Sequence, residues 1–343
     1  MELRSALRPL LVGLGTLVVA GGAGWALAAA DDAGSTTAVR QARPVRDVLD
    51  TPAAPSVLAS RTLHNGLARA GDRIISVGQR GHIVYSDDDG QHWTQAEVPV
   101  SSDLVAVHFP TAADGWAVGH DGVVLHTSNG GQSWSVQLDG RSIDPGKAED
   151  PFLDVWFRDA RHGYVVGAFG MAYRTTDGGA RWTPITANLD NPKGLHLYAV
   201  RGIGQDVYIA GEQGLLLKQP AGEARFQSIE LPYKGTLFGL TGADQTVIVH
   251  GLRGTVLRSG DSGRQWQQVP TGLQVGLTGS TRGAKGQYFI VSQAGHLLAS
   301  HDDGATFQPL PIKGIPPAAA VAAAAHGTLV VAGPRGVLPL QLP

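Results

Sequence analysis

The residues of this 343-residue chain that could carry chemistry fall into a few sets. Asp87, Asp88 and Asp89 form an acidic run of the kind that can hold a hard cation. Trp93, Trp134, Trp182 and Trp266 could serve as platforms for sugar rings. Asp154 and Glu212 are the best available acid pair for glycoside hydrolysis, which needs two carboxylates about 5 to 10 Å apart across the scissile bond. Arg80, Asp121, His196, Arg253 and Arg335 add both signs of charge, with no identifiable nucleophile and general acid among them.

The first two sets are explained by one recurring motif. It reads S-D-D-D-G-Q-H-W at residues 86–93, T-S-N-G-G-Q-S-W at 127–134 and T-T-D-G-G-A-R-W at 175–182, and it returns at 259–266 and, with Phe for Trp, at 300–307. The pattern is Ser/Thr-x-Asp/Asn-x-Gly-x-x-aromatic, the Asp box of bacterial neuraminidase repeats. Its members are Ser86, Asp88, Gly90 and Trp93, then Thr127, Asn129, Gly131 and Trp134, then Thr175, Asp177, Gly179 and Trp182. Ser259, Asp261, Gly263 and Trp266 follow, and Ser300, Asp302, Gly304 and Phe307 complete the set. The hydroxyl and carboxylate are expected to fold back onto turn amides, and the aromatic to cover the hairpin and the neighbouring repeat. A motif repeated all around a molecule is a structural device, because an active site occupies one place. The sequence therefore assigns no catalytic residue, metal site or cofactor.

The elements that carry these residues also repeat. Seven Gly-x-x-Gly-like turns close at Gly81, Gly122, Gly170, Gly214, Gly254, Gly295 and Gly336, spaced by 41, 48, 44, 40, 41 and 41 residues. In the second unit, apolar runs at 104–109, 115–118, 123–126 and 133–137 read as four short strands joined by tight turns. Such a meander cannot cover both of its faces alone, and a period of roughly 40 to 50 residues built from strands is that of propeller blades. The expected fold is all-β, a seven-bladed propeller over residues 57–343. The fourth unit, ending at Phe226, keeps only the aromatic, and the seventh offers three strands. Val57 to Ser60 is expected to pair as the outer strand of blade seven and close the ring.

Composition agrees with one large β domain outside the cytoplasm. The chain has 47 Gly, 43% hydrophobic and 16% charged residues, a formal net charge of −2 and no block of like charge, so nothing suggests nucleic acid. Arg4 and Arg8 precede an apolar stretch at 9–30 with small residues at Ala26, Ala28 and Ala30. Residues 1–30 read as a signal peptide or an uncleaved membrane anchor, which implies export to the periplasm. The absence of Cys rules out a lipoprotein and any disulfide. Residues 31–56, with Arg40, Arg43 and Arg46, read as a flexible linker.

A propeller presents ligand-contacting groups on the turns between second and third strands and on the loops entering innermost strands. Arg80, Asp121, Glu212, Arg253 and Arg335 lie in such turns, and two long loops, 138–151 and 187–195, open on the same face. Asp154, in F-L-D-V-W-F, and His196, in H-L-Y, belong to innermost strands or their entries. A carboxylate there needs a partner, for which Arg253 and Arg80 are the candidates, while Tyr198, Tyr233 and Phe238 are expected in the core.

The export segment, the seven units, the boxes and the run G-W-A-V-G-H-D-G-V-V-L-H-T-S-N-G-G-Q-S-W at 115–134 resemble the photosystem II stability/assembly factor family. The similarity covers nearly all of 57–343. It implies a non-enzymatic, monomeric propeller in the lumen or periplasm that helps to assemble a membrane protein complex, in photosynthetic members through an arginine-rich patch that does not map here residue by residue. The stretches F-L-D-V-W-F, N-P-K-G-L-H-L-Y and P-Y-K-G-T-L-F-G look more like relatives from non-photosynthetic proteobacteria, often encoded near exporters of the resistance-nodulation-division type. That makes an exporter the alternative client. The competing class is a glycoside hydrolase, since sialidases share propeller and box, but their Arg-Ile-Pro signature is missing and Arg61 is followed by Thr62 and Leu63.

Overall fold

The computed structural model describes residues 46–143 and 149–342. The export segment, Arg40, Arg43, Asp144 and Lys147 lie outside the described residues. Seven antiparallel sheets follow one another along the chain, six of four strands and the last of three. The innermost strands are His64–Ala70, Leu104–His108, Phe152–Phe157, Leu197–Ile203, Leu237–Ala243, Leu277–Arg282 and Ala320–Ala323. Each contacts the next, and the seventh contacts the first, so the ring is closed. The expected architecture and blade count both stand.

Sequence pattern explains the burial order within a blade. The second strands G-W-A-V-G at Gly115–Gly119 and T-V-I-V-H-G at Thr246–Gly251 bury every residue. They lie in mid-blade with a neighbouring blade on either side, so both faces are apolar rather than one. Fourth strands pair over only two residues in five blades, as at Thr94–Gln95, and are largely exposed. Short polar outer strands blunt the edge of each sheet.

The boxes fold as their residues dictate. Ser86 Oγ accepts from the Gly90 amide at 2.8 Å and donates to Asp88 Oδ1 at 2.8 Å, while Asp88 accepts from the His92 amide at 2.9 Å. The same bonds recur at Thr127, Thr175, Ser259 and Ser300. The His92 amide and side chain hold the Asp88 carboxyl down at about 2, and the hydroxyl and amide of Thr306 do so for Asp302, also at about 2. The aromatic wedges between its own blade and the preceding one. Trp134 meets Phe109 edge-on at 5.9 Å, and Phe226, kept where the rest of the box is lost, meets Tyr164 of blade three at 6.0 Å.

Two expectations about the N-terminal side are corrected. Residues 57–61 form a turn followed by a 3-10 turn at Ala59–Arg61, not a strand, and among the described residues blade seven has three strands. The segment adds to the closing seam by side-chain packing instead, with Ala59 buried against Val84 of blade one and Ala332 and Val337 of blade seven. The β-capable V-L-A-S and the three strands of the seventh unit suggested a strand, but the chain turns at residues 57–58 and packs Ala59 instead. The linker expected through residue 56 also overlaps packed chain. Leu49 is buried, the Ala53 amide donates to Val98 O at 3.0 Å, and Gln95 clasps Ala54 O and the Ser56 amide.

Candidate functional site

Strand alternation places every turn between second and third strands on one face, beside the loop that enters the next innermost strand. In blades one to five this turn has positive φ at two successive central residues, for example Arg80 at 57° and Gly81 at 69°, closed by the His82 amide on Gln79 O at 3.1 Å. This is the primed hairpin geometry that matches strand twist. Glycine at the second position is required twice over, because a Cβ on Gly81 would also lie 2.1 Å from Val100 O. The first position is never glycine: Arg80, Asp121, Phe169, Gln213 and Arg253 hold the left-handed conformation at a cost of about 1 kcal/mol each. Five side chains are thereby held at turn tips around one face.

The predicted residues divide between this rim and the channel it surrounds. Arg80, Arg253 and Arg335 are exposed, and Asp121, His196 and Glu212 are half-buried. The His196 amide donates to Glu212 Oε2 at 2.9 Å, which brings those two together, and the Arg80 amide donates to Asp103 at 2.7 Å. Among the described residues no ion pair joins any two members of the predicted set.

Asp154 lies within the channel, 4% exposed, and its partner is neither Arg80 nor Arg253. Arg201, on the innermost strand of blade four, binds it through Nη1, and the Val200 amide donates to Asp154 Oδ2 at 2.8 Å. Rim arginines are exposed at the turns, whereas Arg201 stands on the adjacent strand. The pairing was recognisable in principle, since A-V-R-G-I carries a charge inside an innermost strand just as F-L-D-V-W-F does. Burial pushes the Asp154 carboxyl up, against the pull of Arg201 and of backbone donors.

The channel itself is a product of bulges. Each of the first six innermost strands slips register after its first residue. The skipped residues Asn65, Val105, Leu153, Tyr198, Phe238 and Thr278 all line a central cavity of about 580 Å³. A bulge redirects a side chain, and here it turns Tyr198 and Phe238 out of the core in which they were expected. Polar side chains also satisfy the open edges of innermost strands across the seams. Asn65 donates to Leu104 O at 2.9 Å, His108 accepts from the Phe157 amide at 3.2 Å, and Thr278 donates to Ala318 O at 2.6 Å. His250 gives its Nδ1 proton to Leu277 O at 3.0 Å, which leaves Nε2, 2.9 Å from Ser280 Oγ, as an acceptor in the neutral ring.

An aromatic path links rim to channel. Phe169, 64% exposed at its turn, packs on His196 at 4.7 Å, His196 lies 6.3 Å from Tyr198, and Tyr198 meets Phe238 edge-on at 5.7 Å. His196 Nδ1 accepts from the Phe169 amide at 2.8 Å, which fixes the start of the path. Of these only His196 stood among the predicted site residues. Phe169 stands in the Gly-x-x-Gly-like turn that closes at Gly170, and nothing in the sequence marks it as exposed. The loops of interest are partly ordered by local bonds: Asn191 both donates to Leu195 O and accepts from its amide, and Arg141 bridges Asp139 and Asp50.

No curated protein sequence matches the chain. Among solved structures it resembles YCF48 bound to D1 peptide, at 18% identity and TM-score 0.66, covering 83% of this chain and 94% of that one. YCF48 from Cyanidioschyzon merolae aligns at 15% identity and TM-score 0.65, over 83% and 96%. A streptogramin B lyase structure aligns at 12% identity and TM-score 0.68, over 85% and 97%, and at these identities the likeness speaks for the fold alone. The model of the photosynthesis system II assembly factor YCF48 family matches residues 72–150 and 141–310. With most of the propeller inside that match, the chain belongs to the photosynthesis system II assembly factor YCF48 family.

Proposed function

We propose that this propeller is an exported, non-enzymatic assembly or accessory factor, and that it docks on a membrane protein through the rim formed by Arg80, Asp121, His196, Glu212, Arg253 and Arg335. The observation that carries the reading is the ring of non-glycine left-handed residues at the turn tips, with the exposed Phe169 beside His196. Turn tips that fix five side chains on one face, one of them an exposed aromatic, suit a contact surface. A related protein's structure with a D1 peptide is consistent with a membrane-protein client.

The hydrolase alternative fares worse on the same geometry. Asp154 is held by Arg201 and the Val200 amide, and Glu212 accepts from the His196 amide, which supports structural roles for both carboxylates. The test is recovery of the client from detergent-solubilised membranes. Phe169→Ala combined with Arg80→Glu and Arg253→Glu should lose it, and mass spectrometry of the wild-type catch tells a photosystem subunit from an exporter. Turnover of a sialoside or glucan, lost in Asp154→Asn, would establish the enzyme instead. Export is tested separately by alkaline phosphatase fused after Pro343, which should be active.

A further inference from the structure

Around the face opposite the rim, each seam between blades is sealed by a hairpin from the following blade, and one seam is different. Four of the five box glycines sit over a fixed position of the preceding second strand. A Cβ on Gly131, Gly263, Gly304 or Gly90 would meet Ile75 at 2.8 Å, Tyr208 at 3.5 Å, Ile248 at 2.5 Å or Val330 at 3.1 Å. The carbonyl of the residue before that glycine takes a donor from the same preceding blade in four cases. Gly130 O accepts from Arg73 at 3.0 Å, Gly178 O from Gln137 at 2.9 Å, Ser262 O from Lys218 at 2.8 Å and Asp303 O from Arg258 at 2.7 Å.

At the seam between blades six and seven the corresponding position is Phe289, which pairs with Ala299 as Ile248 pairs with Arg258. There the described residues supply no box hairpin. Phe289 instead lines a cavity of about 720 Å³ walled by the first turns of blades six and seven, the box residues His301 and Asp303, and Leu342. Gln287 stands where Arg73 stands in blade one, and its side-chain oxygen is buried without a partner. The apolar floor with a polar rim suits an aromatic side chain entering on a polar turn. Pro339 lies in the outer strand of blade seven and lacks an amide donor, so an occupant is held by the cavity more than by strand pairing.

We propose that this cavity is a second docking site, which receives an aromatic side chain carried on a turn of a partner protein, as the other seams receive the chain's own aromatics. The six sister seams state the ring of the occupant, one large aromatic, and the unpartnered Gln287 oxygen calls for a hydrogen-bond donor on the turn beside it. The site is separate from the rim, so its failure leaves the rim reading intact.

The probe is a fluorescent synthetic peptide with the sequence of residues 127–138, T-S-N-G-G-Q-S-W-S-V-Q-L, titrated by anisotropy against the full chain in detergent micelles. Saturable binding is expected, weakened at least about tenfold when the peptide carries Trp134→Ala and when the protein carries Ala325→Trp, which fills the cavity. Arg80→Glu, on the rim, should leave it unchanged. If Ala325→Trp lowers the melting temperature, Ala284→Trp, on the exposed first turn of blade six, replaces it. Absence of saturable binding, or equal affinity for the alanine peptide or the filled cavity, overturns the proposal. Sedimentation showing a dimer that Ala325→Trp dissolves would give the cavity to a second copy and overturn the assignment to a different protein.

Discussion

Asp154 and Arg201 show how one buried charge depends on a single partner. Asp154 has almost no access to water, so removing Arg201 leaves a carboxylate with only backbone donors. Arg201→Met should lower the unfolding free energy by about 3 kcal/mol, less than for a fully buried pair because the guanidinium is a third open to water. Urea midpoints measure this, and the double variant with Asp154→Leu should recover most of the loss. Three histidines give a second residue-scale expectation. Burial holds His64 at about 4, His108 at about 3 and His250 at about 4, all below the ordinary 6.5. The unfolded chain therefore binds protons that the folded chain refuses, and the stability these rings contribute is complete above the unfolded value and lost as pH falls from 6.5 toward 4. Urea unfolding at about pH 7.5 and about pH 5 should show the lower stability at acid pH, and His250→Gln should flatten the slope.

At the scale of the element, the box hairpin separates local bonding from seam packing. Thr127 Oγ1 donates to Asn129 Oδ1 at 2.8 Å and accepts from the Gly131 amide at 3.1 Å. Thr127→Ala should cost about 1 to 2 kcal/mol, the value of a turn bonded to its own amides. Trp134→Ala, which empties a seam between blades one and two, should cost about 3 to 5 kcal/mol. Thermal melts that ranked these two in the reverse order would mean that the hydroxyl, not the ring, holds the blade. The boxes were readable because every bond in them is local in sequence. The bulges that line the channel were not, since a skipped residue is defined only by the strand it fails to pair with.

At the scale of the molecule, the closing seam includes a contact without strand pairing. Ala59 joins blades one and seven, and residues 47–56 bind blade one through Val98, Gln95 and Ser101. Deleting residues 47–60 should lower the melting temperature sharply while leaving the far-ultraviolet dichroism below the transition unchanged. An unaltered melt would show that the ring closes on innermost-strand contacts alone.

The sequence by itself determined the blade count, the strand order within a blade, the boxes and the face on which the variable turns gather. All of these follow from local periodicity and from turn residues whose backbone preferences need no distant partner. Only the tertiary structure decided that Asp154 answers to Arg201, that Tyr198 and Phe238 look into the channel, and that the N-terminal residues add to the closing seam by packing. It alone revealed the cavity at Phe289. Each of these is a relation between blades, where spacing along the chain carries no information about which side chains converge.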